Sequence, residues 1–422
     1  MTEQEKYLAY LQAIQRPFQK LCRLRFLNPD GSTAFFVDNN PMGKYGRAFI
    51  ADGTLTVNLQ NGTRRTATVT LANADGAFDY DVNHLWFGQE IALDEGLILP
   101  GGEEYYIQQG VFLLESPQET VSPQERVMQY DLVDKWANLD GTLWGRLEGT
   151  YKGALGVNIF RQIDALLHDD RGNGQLVDPV APVYTEYYNG KTQLLPDGET
   201  AALTDAPYTL TVAPSSGTYA AVILGFAEML NAWVGYDAEG RLRIDPSQDD
   251  LLDTEKPASY AFSMEESVLT GLSYKVENTE VYNDYIVLGA ALDDNSQPGA
   301  RATNNDPMSD TNVNLIGRKT VWTSENGYTT QNQCRDRAEW EMKRSTVLQK
   351  SVNISCGQIF HIKENELVTI ARTDKPGKPI ERHLVMGFSR PLAASGAMTI
   401  SAVSVADFPV ATVTVWPPKN TV

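Results

Sequence analysis

Apolar and polar positions alternate along two long stretches of this chain, and before and between them the apolar period lengthens to that of a helix. Residues 3–15 set Tyr7, Leu8, Leu11 and Ile14 on one helical face, and Pro17 ends the run because it cannot continue the hydrogen-bond ladder. Short alternating runs follow at 24–27, 34–37, 54–59, 66–72, 90–94, 104–114 and 127–133. The clusters Asn28-Pro29-Asp30-Gly31, Ala51-Asp52-Gly53 and Pro100-Gly101-Gly102 supply turns between them. This predicts an N-terminal helix over 1–19 and a β-domain, a small barrel or sandwich, over 20–148.

Residues 149–262 are mixed. Val157, Phe160, Ile163, Leu166 and Leu167 form the stripe of a helix that stops near Arg171-Gly172-Asn173-Gly174. A second helix over 219–234 turns Ala221, Leu224, Ala227, Met229 and Leu230 to a core, and a strand covers 241–244. Alternation returns over 263–408, with a polar loop at 292–314 and one helix at about 329–348. Thr329 or Thr330 caps that helix, and Cys334, Ala338 and Met342 share the face that packs beside a sheet. Residues 409–422, with Pro409, Pro417 and Pro418, read as a peripheral C-terminal arm. The fold class is therefore β-rich α+β: two related small β-barrel-like domains flanking an α/β insert, behind a short N-terminal helix.

The relation between the two β-domains rests on an internal echo. Glu90-Ile91-Ala92-Leu93, then Glu104 to Val111, then Val127 to Val133 match Glu366-Leu367-Val368-Thr369, then Glu381 to Phe388, then Ala397 to Val403. The paired glutamates are 14 positions apart in the first set and 15 in the second. This spacing suits one hairpin with a variable tip. Any two antiparallel meanders would also look alike at this level. If the copies are real, a trimer of the chain presents six similar units.

Charge narrows the partners. The 422 residues carry 35 Lys plus Arg against 54 Asp plus Glu, a net charge of −19. Such a surface repels phosphate, which disfavours tight wrapping of DNA and docking on anionic membranes. The most apolar window, 219–236, is broken by Glu228 and Asn231 and falls short of the roughly 20 apolar residues that span a bilayer. The first residues lack the pattern of a signal peptide, so synthesis in the cytoplasm is expected.

Reaction chemistry is thinly supplied. Phosphate loops, dinucleotide fingerprints, zinc-protease and serine-elbow motifs are all missing from the sequence. His84, His168, His361 and His383 lie in unrelated contexts. Cys334 or Cys356 could pair with His361 or His383 as a hydrolase, but each cysteine sits where a small buried hydrophobe belongs. Asp79, Asp81, Asn83 and Glu90 match calcium-loop positions, yet His84 stands where the loop needs glycine, and a strand-end turn is the simpler reading. No catalytic, cofactor or metal residue is assigned.

Two sets of motifs resemble the tail-hub proteins of tailed phages. The first is Asn73-Ala74-Asp75-Gly76-Ala77-Phe78, then Gly88-Gln89-Glu90-Ile91-Ala92-Leu93, then the hairpin Gln109-Gly110-Val111-Phe112. The second is Asn305-Asp306-Pro307, then Ile316-Gly317-Arg318 as a strand, then the helix carrying Ala338. In the family a strand opening with Gly-Asp often follows, and here Asn365-Glu366 stands in its place. The resemblance gives Asn73, Gly76, Phe78, Gly88, Gly110, Ile316, Gly317, Arg318 and Ala338 shape-setting roles. It implies a homotrimer whose pseudo-sixfold ring joins a sixfold tail tube to a threefold spike or fibre. The implied partners are tail tube or distal tail proteins, a tape measure protein and the spike or fibre. DNA would pass through the lumen without sequence-specific binding, no membrane insertion is implied, and the location is the virion tail tip or baseplate. The chain resembles the bare hub, without a separate catalytic domain. The alternative is a tail-associated cell-wall-binding or peptidoglycan-degrading protein, for which the tyrosines Tyr184, Tyr187 and Tyr188 offer faces suited to sugar rings.

Overall fold

The computed structural model of the chain describes residues 1–44, 48–79, 89–172, 174–194, 199–215, 217–230, 232–246, 257–277, 281–291, 296–324, 328, 330–346, 349–392, 396–405 and 409–416. Helix α1 spans Glu3–Ala13. Thr2 and Glu5 close its N-terminus reciprocally, each side chain accepting from the other's amide. The buried face is Tyr10, Ala13 and Ile14, while Tyr7 and Leu8 are exposed, which corrects the face read from periodicity. The reason is polar. The Tyr10 hydroxyl lies 2.9 Å from His361 Nδ1 and accepts from the Phe360 amide, so the helix is turned to bury that ring.

Seven strands follow: β1 Lys20–Leu27, β2 Thr33–Asp38, β3 Ile50–Asn58, β4 Arg65–Ala72, β5 Ile91–Ile98, β6 Glu104–Val121 and β7 Arg126–Asp134. Each of the seven alternating runs becomes one of them. Ala51-Asp52-Gly53 is a correction: it is a bulge inside β3, with Gly53 at φ +152° so close to the Thr68 carbonyl that a Cβ would sit 2.3 Å from it.

The insert carries short strands β8 Tyr151–Lys152, β9 Val183–Tyr184, β10 Thr192–Leu194, β11 Thr200–Ala202 and β12 Thr211–Val212. Helix α2, Ile159–Leu167, starts at its Asn158 cap and buries Ile159, Phe160, Ile163, Leu166 and Leu167. Helix α3, Tyr219–Met229, ends sooner than periodicity predicts, because β13, Ala232–Tyr236, already pairs with β14, Leu242–Pro246. Its deepest residues are Val222, Ile223, Phe226 and Ala227, whereas Ala221 and Leu224 are only partly buried. A helix apolar on every side has no stripe from which to read its inward face.

The last region holds β15 Tyr260–Ser263, β16 Leu269–Glu277, β17 Asp284–Leu288, β18 Gly299–Asn304, α4 Val313–Ile316, β19 Thr320–Ser324, α5 Gln331–Thr346, β20 Gln349–Cys356, β21 Leu367–Ala371, β22 Ile380–Pro391, β23 Met398–Ser404 and β24 Ala411–Val415. Three corrections belong here. The loop over 292–314 contains β18, the segment read as an arm supplies β24, and Ile316-Gly317-Arg318 is a helix end and turn rather than a strand. Strands β19, β17, β18 and β24 form a separate four-stranded sheet. Helix α5 packs on it through Cys334, Ala338 and Met342, all fully buried with Val287, Ala300 and Ala302.

The other β-strands of both regions make one thirteen-stranded sheet, in which β22 pairs antiparallel with β3. The order β3-β4-β7-β6-β5 in the first region is repeated as β16-β20-β23-β22-β21 in the second. The bulges coincide too. Ala51 in β3 and Thr270 in β16 are skipped at the same step, as are Glu115 in β6 and Met386 in β22. Two unrelated meanders have no reason to share both order and irregularities. One continuous core, including Leu55, Val69, Leu93 and Phe112 with Ile354, Val368, Phe388 and Ile400, runs through both units.

Candidate functional site

Among the described residues the groups that could do chemistry do not converge. Cys22, Cys334 and Cys356 are free thiols with no exposed surface, and burial pushes the Cys356 thiol up to about 12. His361 is held neutral by burial: its Nε2 contacts the Ser259 carbonyl at 3.2 Å while Nδ1 faces the Tyr10 hydroxyl. His383, also lowered by burial, contacts Glu381. Among the described residues no group of three His, Cys, Asp or Glu side chains could hold a metal ion. Residues 80–88, which include His84, most of the calcium-like loop and Gly88, lie outside the described residues.

The polar chemistry that does converge is buried at the seam between the two β-units. Glu95 of β5, fully enclosed, meets Lys20 of β1 at 2.7 Å and Arg390 of β22 at 2.5 Å. Burial alone would raise the Glu95 pKa, but the two cations outweigh it and the net shift is downward. Arg390 also donates to the Ile359 carbonyl and the Gln109 side chain, and Gln109 in turn donates to the Phe360 carbonyl at 3.0 Å. Gln109 reaches there because β6 bulges between Gly110 and Gln108, and a Cβ on Gly110 would strike the Phe112 ring at 2.5 Å. From β4, Arg65 ties the Gln109 carbonyl to Glu364, the latter at 2.5 Å. Asp134 accepts from the amides of Arg64, Arg65 and Trp136, yet burial still lifts it to about 6.

This network joins the first unit (β1, β4, β5, β6) to the second (β22 and the Glu364 turn) and, through the Tyr236 carbonyl and Asp245, to the insert. Glu95, Arg390 and Arg65 are paired to charge or carbonyl and Asp134 to backbone amides, as a low-dielectric interior demands, while one buried nitrogen of Arg64, Nη2, has no hydrogen-bond partner. It is a clamp that ties the two units and the insert together. Apart from Gln109 and Gly110 in the quoted hairpin, sequence reasoning missed it. The available signal was Asp94-Glu95 standing inside the otherwise apolar, fully paired β5.

The motif residues occupy three separate places. Asn73 is buried; its side chain accepts from the Phe78 amide and donates to Asp79 at 2.7 Å. Gly76, at φ +70°, leaves room for Asp79, and Phe78 packs edge-on against Phe49. Gly110 is at the seam. Ile316 is exposed at the end of α4, Gly317 reverses the chain at φ +80° while its carbonyl accepts from Asn283, and Arg318 stands 3.9 Å from Asp284. Ala338 lies under α5. Asn365 makes the tight turn itself, at φ +63°, where the resemblance expects glycine.

Two of the three tyrosines, Tyr184 and Tyr188, line a cleft of about 340 Å³ in the insert. Tyr184 stacks face to face on Phe160 at 3.9 Å, Lys191 covers Tyr187, and Tyr188 is buried. Most of the aromatic faces are thus spent on internal packing.

No family model matches the sequence, and no curated protein matches it. Solved structures do. The chain is similar to the tail protein from Neisseria meningitidis MC58 at 10% identity and TM-score 0.59, over 92% of this chain and 97% of that one. It is similar to the 43 kDa tail protein of prophage MuSo2 from Shewanella oneidensis at 13% identity and TM-score 0.55, over 91% and 98%. It is also similar to the prophage tail protein gp18 from Listeria monocytogenes EGD-e at 9% identity and TM-score 0.51, over 91% and 94%. The β-rich α+β architecture is therefore one found in phage tail proteins.

Proposed function

We propose that this chain is the hub of a phage tail tip or of a phage-derived injection particle, a homotrimer whose ring joins a sixfold tube to a threefold spike or fibre. The observation that carries this reading is the repeated β-unit: three chains with two such units each would present six similar units to a sixfold tube while remaining threefold as a whole. The likeness in fold to phage tail proteins supports the setting. Its partners are then tube or distal tail proteins, a tape measure protein and a spike or fibre, and its place is the virion. The −19 charge suits a lumen through which DNA slides without sticking.

Size-exclusion chromatography with light scattering, followed by negative-stain imaging, tests the reading. A closed ring of three chains is expected; a closed ring of any other number overturns it. Zymography on cell walls separates it from the alternative, since clearing by the purified chain would make it a peptidoglycan-degrading tail protein.

A further inference from the structure

The internal junction between the two units leaves two strand edges unmatched. Strand β3 pairs with β4 on one side and with β22 on the other, in the register Asn58 to Gly387, Thr56 to Ser389 and Thr54 to Pro391. Its counterpart β16 pairs with β20, and no described strand pairs with its other side. The counterpart of β22 is β6, whose pairing with β5 stops at Phe112 while the strand runs on to Val121. No described strand pairs with that side of β6 beyond Phe112.

The consequence shows in burial. Leu55 and Val57 of β3 are fully buried, whereas the residues in the same two places of β16, Tyr274 and Val276, are 40% and 61% exposed. Likewise Phe388 and Arg390 of β22 are buried, whereas their counterparts on β6 are Pro117, half-buried, and Glu119, exposed.

We propose that the open edge of β16 adds to the open edge of β6 in a second copy of this chain, repeating between chains the junction that β3 and β22 make within one. This deepens the trimer reading and rests on it by naming the surfaces that build the ring. Carrying the internal register across the matched bulges sets Ser273 opposite Thr120, Tyr274 opposite Glu119 and Lys275 opposite Gln118. Such a contact is head-to-tail, so successive additions close a ring or extend a filament. The counterparts of Gly387 and Phe388 are Ser116 and Pro117. They bring a Cβ and remove an amide donor, so the ladder between copies is shorter and centres on 118–120. A proline there also discourages pairing with foreign strands.

The phase of the ladder supplies the test. Leu59 donates to the Met386 carbonyl and Leu392 to the Gly53 carbonyl, so Leu55 and Val57 turn their amides to β22 and Thr56 does not. By equivalence, Gln118 and Lys275 form a non-hydrogen-bonded pair, whose Cα atoms come about 4.5 Å apart, within disulfide reach. The three native cysteines are buried and do not compete. Oxidised Gln118→Cys/Lys275→Cys chain, compared with Gln118→Cys/Val276→Cys as the out-of-phase control, is run on a non-reducing gel beside light scattering. The expected result is a cross-linked ladder ending at three chains for the first variant only. Val276→Pro should weaken association at least tenfold with the monomer's melting unchanged, because that amide faces outward. A trimer by light scattering with no in-phase cross-link overturns the pairing and leaves the trimer standing. A monomer with no cross-link at high concentration overturns both. Cross-linking that extends past three overturns the hub and keeps the pairing.

Discussion

The two β-units share strand order and bulge positions, yet they differ in what fills the connections. In the first, β3 and β4 are joined by the short turn of residues 59–64; in the second, the matching strands β16 and β20 are separated by residues 278–348, which supply β17, β18, β19, α4 and α5. The framework tolerates both because the ladder, not the connection, fixes the register. Loop length is thermodynamically mild, each doubling costing about 0.6 kcal/mol, so a whole small sheet can occupy one hairpin tip. The lesson is that the repeat carries the architecture and the connections carry the individuality of each unit.

The largest effect is expected where the units meet. Glu95→Gln leaves Lys20 and Arg390 buried without their anion, and removing one partner of a buried pair costs about 3–5 kcal/mol. Chemical denaturation followed by tryptophan fluorescence measures this. A loss below about 1 kcal/mol would mean that the two units hold together by their shared apolar core alone. The pH dependence has a definite sign. Glu95 is depressed when folded, so its contribution is present above the ordinary carboxylate range and fades as pH falls through its lower folded value. Asp134, raised to about 6, acts oppositely: its folded state holds the proton more tightly, and that contribution is lost as pH rises through about 6. Asp134→Asn should therefore gain on the parent protein between pH 5 and 7 in thermal melts, and a difference that stays flat across that window would exclude the titration.

A second contrast uses identical residues in equivalent places. Val57 on the covered strand is enclosed and Val276 on the open strand is 61% exposed. Truncating Val57 to alanine removes two methyl groups at roughly 0.8 kcal/mol each and leaves a small cavity, for an expected loss of about 2 kcal/mol. Val276→Ala should change monomer stability by no more than about 0.5 kcal/mol. Equal losses at the two sites, measured in urea at a concentration where the chain is monomeric, would mean that β16 is covered within its own chain.

Alternation exposed the seven strands of the first unit and most of the second because a strand with one buried face must place apolar side chains at every other position. It hid β18, whose inward residues Ala300 and Ala302 are too small to stand out in a loop rich in Asn, Asp and Ser. It hid β24 behind its neighbouring prolines. The cap of α5 was readable, since Thr330 and Gln333 bond reciprocally there, and so was its Cys334, Ala338 and Met342 stripe. The clamp was not, because Lys20, Glu95, Gln109, Glu364 and Arg390 are brought together by sheet topology, and no local spacing encodes that. The echo was legible in one strand only: Val127 to Val133 does align with Ala397 to Val403, but the shared bulges set Phe388 against Pro117 rather than Val111, so Glu104 and Glu381 are not equivalent, and that register exists only once strands are paired.

A last contrast sets a local signal against a tertiary one at the start of the chain. The capping box at Thr2 and Glu5 is a purely local device, and Thr2→Ala should cost about 1 kcal/mol at most. Helix α1 is nevertheless held mainly by Tyr10, whose hydroxyl is fixed by Phe360 and His361 of the second unit. Tyr10→Phe keeps the ring and removes the hydroxyl, leaving the Phe360 amide buried without its acceptor, which costs about 1–3 kcal/mol. Hydrogen exchange at the α1 amides should therefore rise more in Tyr10→Phe than in Thr2→Ala. The reverse order would show that the helix is anchored by its own cap, and that the first element of the chain does not depend on the second β-unit for its place.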